Sequence, residues 1–304
     1  MTESVRAALR LDEEILDSET GSISCEFRSR SDGNLFALRG GDGAGLELRI
    51  VGSSLVYEAT VPGRWSKLEA EDVRSLDDGR WHSAVVTVSA AGTRLYLDGY
   101  QVFCGTTTAF LKDLTGLSQA VVGQGDSPEV TAFTVHPRVL TAREVLALSK
   151  RAEPLVEVAA NRLSPHDVAR FADVRHGSFW LRFRVRGRMQ QGALLAAGGH
   201  GREQLTVSVG PEGISYTAVS TTGESREVKA TGAWSDGGWH EVVVAVGHGA
   251  VDLYVDGFRE THAPGEFFLA GVEGLDEIVV GQDCEGVRLS GEVQRAGLYD
   301  YALS

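Results

Sequence analysis

Lysine is nearly absent from this chain: there are four in 304 residues, so arginine supplies most of the 29 cationic side chains set against 42 acidic ones. A net charge of −13 excludes the general attraction that nonspecific nucleic-acid binding and anionic membranes require. Cysteine is scarce too. Cys25, Cys104 and Cys284 form no CxxC pair and no repeated framework, which points to reduced thiols rather than a disulfide scaffold. No run approaches the roughly 18 apolar residues of a membrane-spanning helix, and no low-complexity tract is present. HExxH, EF-hand loops and clustered His/Cys sets are missing, so no motif asks for a metal or another cofactor. The opening Met1-Thr2-Glu3-Ser4-Val5 has neither a basic nor an apolar signal region, and the expectation is a cytoplasmic product.

What is present is glycine (37 residues), a 42% share of hydrophobic residues and an internal repeat. Asp78-Gly79-Arg80-Trp81-His82, followed by Leu95-Tyr96-Leu97-Asp98-Gly99, recurs as Asp236-Gly237-Gly238-Trp239-His240, followed by Leu253-Tyr254-Val255-Asp256-Gly257. Trp81 and Trp239 are 158 residues apart, as are Gly99 and Gly257, and Gly123 and Gly281. A constant offset over that distance means two copies of one unit, each long enough to bury its own core. The boundary is expected between them, giving domains 1–153 and 154–304.

Strict alternation in Ser22–Arg30 places Ile23, Cys25 and Phe27 on one face of a half-buried strand. In the second copy Leu181, Phe183 and Val185 point one way, and Arg182, Arg184 and Arg186 the other. Strands recur every 8–12 residues or so with turn signals between them, the pattern of an all-β sandwich. Asp98-Gly99 and Asp256-Gly257 are hairpin turns. One short linking helix is expected over Thr141–Arg151, where Thr141 and Glu144 form a capping box. The second copy stops where the first begins that helix. It either closes without one or is the front part of a longer protein.

The succession Trp-His, apolar strand, Leu-Tyr-(Leu/Val)-Asp-Gly, then Phe268-Leu269, Gly274-Leu275 and Ile278-Val279-Val280-Gly281 resembles the laminin-G-like, concanavalin-A-like lectin/glucanase superfamily. It is particularly similar to the lectin-like domain at the N-terminus of some bacterial sialidases. The resemblance implies two tandem jelly-roll β-sandwiches, each of two antiparallel sheets with one concave. It also implies Trp81 and Trp239 in the core; strand alternation then turns His82 and His240 outward, either into solvent or towards a groove. Some laminin-G-like modules hold Ca²⁺ at the sheet rim, but no cluster here singles out its ligands.

Function reads as carbohydrate recognition, with a carbohydrate or another small molecule as the partner and an acidic sugar as the pointed case. Period-2 geometry puts the guanidinium groups of Arg182, Arg184 and Arg186 on one face, suited to forking a carboxylate or phosphate, with Arg28 and Arg30 as the matching row of the first copy. These arginines can equally pair with the chain's own excess of Asp and Glu. Arg226 adds a guanidinium from a neighbouring strand, Tyr216, Trp234 and Trp65 offer stacking surface, and His240 completes the candidate set. No Glu-x-Asp-x-x-Glu run of the glucanase type lies on a strand. Ser75–Trp81 is close to the Asp-box of sialidase propellers, but its Trp comes one residue early. The competing expectation is an intracellular enzyme on a lectin-like scaffold, a cyclase, isomerase or hydrolase with a site between the domains. No sequence feature sets the oligomeric state.

Overall fold

A computed structural model of the chain describes residues 13–52, 54–70, 76–123, 128–149, 154–158, 161–186, 191–200, 202–220, 223–247 and 249–303. The chain divides into two compact units, Met1–Ala152 and Glu153–Leu303.

After a one-turn helix (Glu13–Leu16), the first unit consists of β1 (Gly21–Arg28), β2 (Gly33–Gly40), β3 (Gly45–Val51), β4 (Ser54–Val61), β5 (Arg64–Ala70), β6 (Trp81–Ser89), β7 (Gly92–Leu97), β8 (Tyr100–Gly105), β9 (Leu117–Val122) and β10 (Glu129–His136). They pair antiparallel into two five-stranded sheets of order β10-β1-β6-β7-β8 and β5-β4-β3-β2-β9. The capping box holds: the Thr141 side chain accepts from the Glu144 N–H at the head of a helix over Ala142–Leu148. The Arg138 guanidinium, helped by hydrogen bonds from Thr141, holds the Glu144 carboxyl at about 2. Lys150 and Arg151, expected to extend the helix, lie outside the described residues.

The second unit repeats the plan with β11 (Val156–Val158), a helix over Pro165–Ala169, β12 (Gly177–Arg186), β13 (Gly192–Gly199), β14 (Arg202–Gly210), β15 (Gly213–Val219), β16 (Ser225–Thr231), β17 (Asp236–Gly247), β18 (Ala250–Val255), β19 (Phe258–Pro264), β20 (Leu275–Val280) and β21 (Gly291–Tyr299). Its sheets run β11-β21-β12-β17-β18-β19 and β16-β15-β14-β13-β20. These are tandem jelly-roll β-sandwiches. In each, alternate residues of both sheets meet in one core: Phe27, Leu95, Leu46 and Tyr57 in the first unit, Phe183, Leu253, Leu205 and Tyr216 in the second. Burial of one such side chain contributes about 1.5–3 kcal/mol.

Strands β5, β11 and β19 have no apolar alternation and escaped the sequence reading. Each closes the edge of a sheet, where backbone pairing on one side suffices to define a strand. No disulfide joins the three cysteines, and burial pushes the Cys25 thiol up to about 12.

The Trp-His expectation is inverted. Trp81 is 39% exposed, whereas His82 and His240 are buried at 2% and 7%. The register explains this. His82 lies opposite Phe27, and His240 opposite Phe183, on the inner face. Trp81 lies opposite Arg28, and Trp239 opposite Arg184, on the outer one.

Candidate functional site

A buried imidazole needs partners for both ring nitrogens, and the repeated motif supplies them. Nδ1 of His82 meets the Asp98 carboxylate at 3.0 Å, and its Nε2 meets Asp78 at 3.1 Å. Nδ1 of His240 meets Asp256 at 2.9 Å and its Nε2 meets Asp236 at 3.0 Å. Asp98 also accepts the Ser83 backbone N–H, and Asp256 that of Glu241. Both hairpin aspartates have φ 50°, followed by Gly99 at 93° and Gly257 at 87°. This left-handed pair, which Asp-Gly accommodates, turns the carboxylate back onto the preceding strand. The motif is therefore a structural clamp.

The Asp256 carboxylate, and after it Asp236, holds the His240 imidazole above its ordinary value against the opposing effect of burial. A raised folded-state value means that the stabilisation is complete below about pH 6.5 and is lost as pH rises through the folded value. Thermal unfolding across that range is expected to show the wild type's advantage over His240→Gln shrinking as pH increases. A constant advantage would contradict the charged clamp.

The arginine row lies on the outer face of the six-stranded sheet. Arg184 sits between two neighbours in register, donating to Glu292 at 2.9 Å and stacking over the Trp239 ring at 4.6 Å. Arg28 does the same in the first unit, with Glu129 at 2.5 Å and the Trp81 ring at 5.1 Å. Arg182 also overlies Trp239, at 5.6 Å. The Arg186 side chain lies outside the described residues. Pairing with the chain's own acidic residues thus accounts for Arg184 and Arg28, at the modest energies of half-exposed ion pairs.

Arg226 does not join this row, because β16 is an edge strand of the opposite sheet. It comes together instead with Tyr216. Both line a cavity of ≈330 Å³ where the β15–β16 edge of one sheet faces the β18–β19 edge of the other. Tyr216, Val228, Val251 and Phe267 make its apolar floor; Ser220, Glu224, Arg226 and Glu266 provide its polar groups. The Tyr216 hydroxyl donates to the Phe267 carbonyl, and burial pushes it up. Thr261 of β19 donates to the Lys229 carbonyl of β16 at 2.7 Å, tying the two edges. Among the described residues the side chains of Arg226, Glu224 and Glu266 make no ion pair or hydrogen bond. In the first unit the position of Arg226, opposite Ala218, is held by Ser66, opposite Ala59. Trp234 is half-buried against the core of its unit and Trp65 is 64% exposed; neither lines this cavity. Among the described residues no group of three or more His, Cys, Asp or Glu is placed to hold a metal ion.

A profile of the concanavalin A-like lectin/glucanases superfamily matches residues 4–146 and again 177–304. The chain belongs to that superfamily. Among solved structures it is similar to the Ruminococcus gnavus IT-sialidase CBM40 bound to α2,6-sialyllactose (15% identity, 51% of this chain and 93% of that one, TM-score 0.43). It is also similar to domains LG4-5 of the mouse laminin α1 chain (14%, 96% and 82%, 0.34). A third likeness is domain 4 of AbnA, a GH43 extracellular arabinanase from Geobacillus stearothermophilus, in complex with arabinotriose (16%, 43% and 63%, 0.35). No curated protein matches. No helix among the described residues is long and apolar enough to cross a membrane.

Tyr216 of the cavity has its counterpart in Tyr57 of the first unit, whereas the charged groups Arg226, Glu224 and Glu266 are not repeated. Sequence reasoning singled out Tyr216 and Arg226 but missed Glu224, Glu266 and Phe267. Glu266 and Phe267 follow β19, a strand that showed no pattern, so no signal linked them to β16.

Proposed function

We propose that the chain is a carbohydrate-recognition module whose sugar site is the edge cavity of the second unit. The observation that carries this reading is the set of uncommitted polar side chains, Arg226, Glu224 and Glu266, beside an apolar floor. A pyranose has an apolar C–H face and a ring of hydroxyls. Carboxylates accept hydroxyl protons, a guanidinium donates to hydroxyl oxygens, and Tyr216, Phe267 and the valines can cover the C–H face. The volume lies at the lower end for ligand pockets, about 300–1,000 Å³, which suits one or two sugar rings. An adjoining hollow of ≈460 Å³ shares Glu266 and reaches Arg175 and His176, which gives an extended saccharide somewhere to continue. Two carboxylates beside one guanidinium favour a neutral sugar at this place over an acidic one.

A glycan array of the whole chain, followed by calorimetry on the best glycan, tests the site. Arg226→Ala and Glu266→Gln are each expected to weaken binding about tenfold, the scale of one hydrogen bond to a charged group. Arg184→Ala, which alters the outer face, is expected to leave affinity unchanged. A blank array with folded protein, or loss of binding through Arg184→Ala alone, would remove the proposal.

A further inference from the structure

The second unit also departs from the first between Gln282 and Tyr299. The offset between the copies is 158 at Gln282 and 163 at Tyr299, which pairs with Ser178 as His136 pairs with Ser22; five residues are inserted between them. The insertion is held by its own hydrogen bonds. Asp283 accepts the Val287 N–H through its side chain at 2.7 Å and the Gly286 N–H through its carbonyl at 3.1 Å, with Gly286 at φ 87°. Gln282 bridges to Arg288, and Leu289 is buried with its N–H on the Gly281 carbonyl at 2.9 Å. Arg288 thus sits between two fixed points.

It lines a cavity of ≈270 Å³ whose other polar side chains are Asn161, Glu292, Gln294 and Arg295. Glu292 is taken by Arg184, and Arg295 is paired with Glu157 at 2.7 Å. The side chains of Arg288, Gln294 and Asn161 have no hydrogen bond or ion pair among the described residues. A guanidinium and two amides, all able to donate, line one cavity without an acceptor among the described residues, and the one carboxylate of the cavity is already paired.

We propose that this cavity is a second binding site, for a compact oxyanion such as a carboxylate or a sulfate group. Arg288 would fork it in a bidentate pair, with Gln294 and Asn161 donating to its remaining lone pairs. The carrier of the anion can be an acidic sugar or the free inorganic ion; the sugar carrier rests on the carbohydrate reading, and the cavity does not. In a chain of net charge −13 no overall field draws anions in, so anion binding reports a local site.

The test is calorimetry of the full chain with sodium sulfate, sodium glucuronate and glucose, on wild type, Arg288→Gln and Arg226→Ala. Sulfate is expected to bind wild type and Arg226→Ala alike, and both anions about tenfold more weakly to Arg288→Gln, the loss of one charge-assisted pair. Glucuronate well ahead of sulfate identifies the acidic sugar as the carrier, and parity identifies the bare oxyanion; both uphold the site. Binding of neither anion, undiminished binding by Arg288→Gln, or loss of sulfate binding through Arg226→Ala overturns it. Arg288 is exposed and bridges only through its backbone, so circular dichroism of Arg288→Gln should match wild type. A failed glycan array alongside intact sulfate binding would remove the sugar reading and leave this one standing.

Discussion

Asp98→Ala is expected to destabilise the first unit by about 3 kcal/mol, because it strips partners from a buried imidazole and a buried backbone N–H together. The Asp98 carboxylate lies 3.0 Å from Nδ1 of His82 and 2.8 Å from the Ser83 nitrogen, and the His82 side chain is fully enclosed. Water cannot replace either bond without opening the sandwich. The backbone adds to the loss, since φ is 50° at Asp98 and Ala tolerates the left-handed region poorly. Asp98→Asn separates the two effects. Asn keeps the turn conformation and one acceptor while surrendering the charge, so its cost should fall between wild type and Ala. The measurement is denaturant unfolding followed by tryptophan fluorescence, for which Trp81 next to His82 is a local reporter. Equal stability of Asp98→Ala and wild type would mean that the clamp does not hold the hairpin. The same substitution at Asp256 should act in the second unit through His240 and Glu241.

Phe268→Ala is expected to cost about 3–5 kcal/mol, the range for removing a buried phenyl ring. Phe268 is 1% exposed and stacks on Phe179 with ring centroids 4.7 Å apart. The other side of the ring explains a glycine. A Cβ at Gly177 would fall far inside van der Waals contact of the Phe268 ring and of the Tyr299 carbonyl on the neighbouring strand. Gly21 stands in the same relation to Phe110 and His136. Gly177→Ala by itself should therefore cost about 1–3 kcal/mol through overpacking. In the double variant the new methyl enters the space vacated by the ring, and the total should be less than the sum. The Tyr299 carbonyl keeps the relief partial. Strict additivity in denaturant melts would show that the ring and the glycine are not in contact.

The legible part of this chain was what repeats with a short period. The alternation of Ile23, Cys25 and Phe27, and of Leu181, Phe183 and Val185, located β1 and β12 and their inner faces, because a strand half in a core must alternate. Asp98-Gly99 and Asp256-Gly257 marked hairpins because few residue pairs adopt two positive φ angles in succession. Trp-His was read with its faces exchanged. The family resemblance suggested an indole in the core, and strand alternation then an imidazole facing outward, but two carboxylates satisfy the imidazole and an arginine covers the indole. Asp78, Asp98, Asp236 and Asp256 were all in view as turn residues; their second duty depends on a carboxylate crossing to the next strand.

By itself, then, the amino-acid order determined a tandem of two β-sandwiches and most of their strands, since periodicity and turn chemistry act between near neighbours in the chain. Only the tertiary structure decided which polar side chains stand together. It separated Arg226 from Arg184 by placing them on different sheets, and it brought Arg226 beside Glu266 across two sheet edges. It also left Arg288 with Asn161 and Gln294 around one cavity. Arg226 and Glu266, and Asn161 and Arg288, lie far apart in the sequence, and what makes each available is that its side chain has no hydrogen bond or ion pair among the described residues, a property of the packed fold that no local pattern encodes.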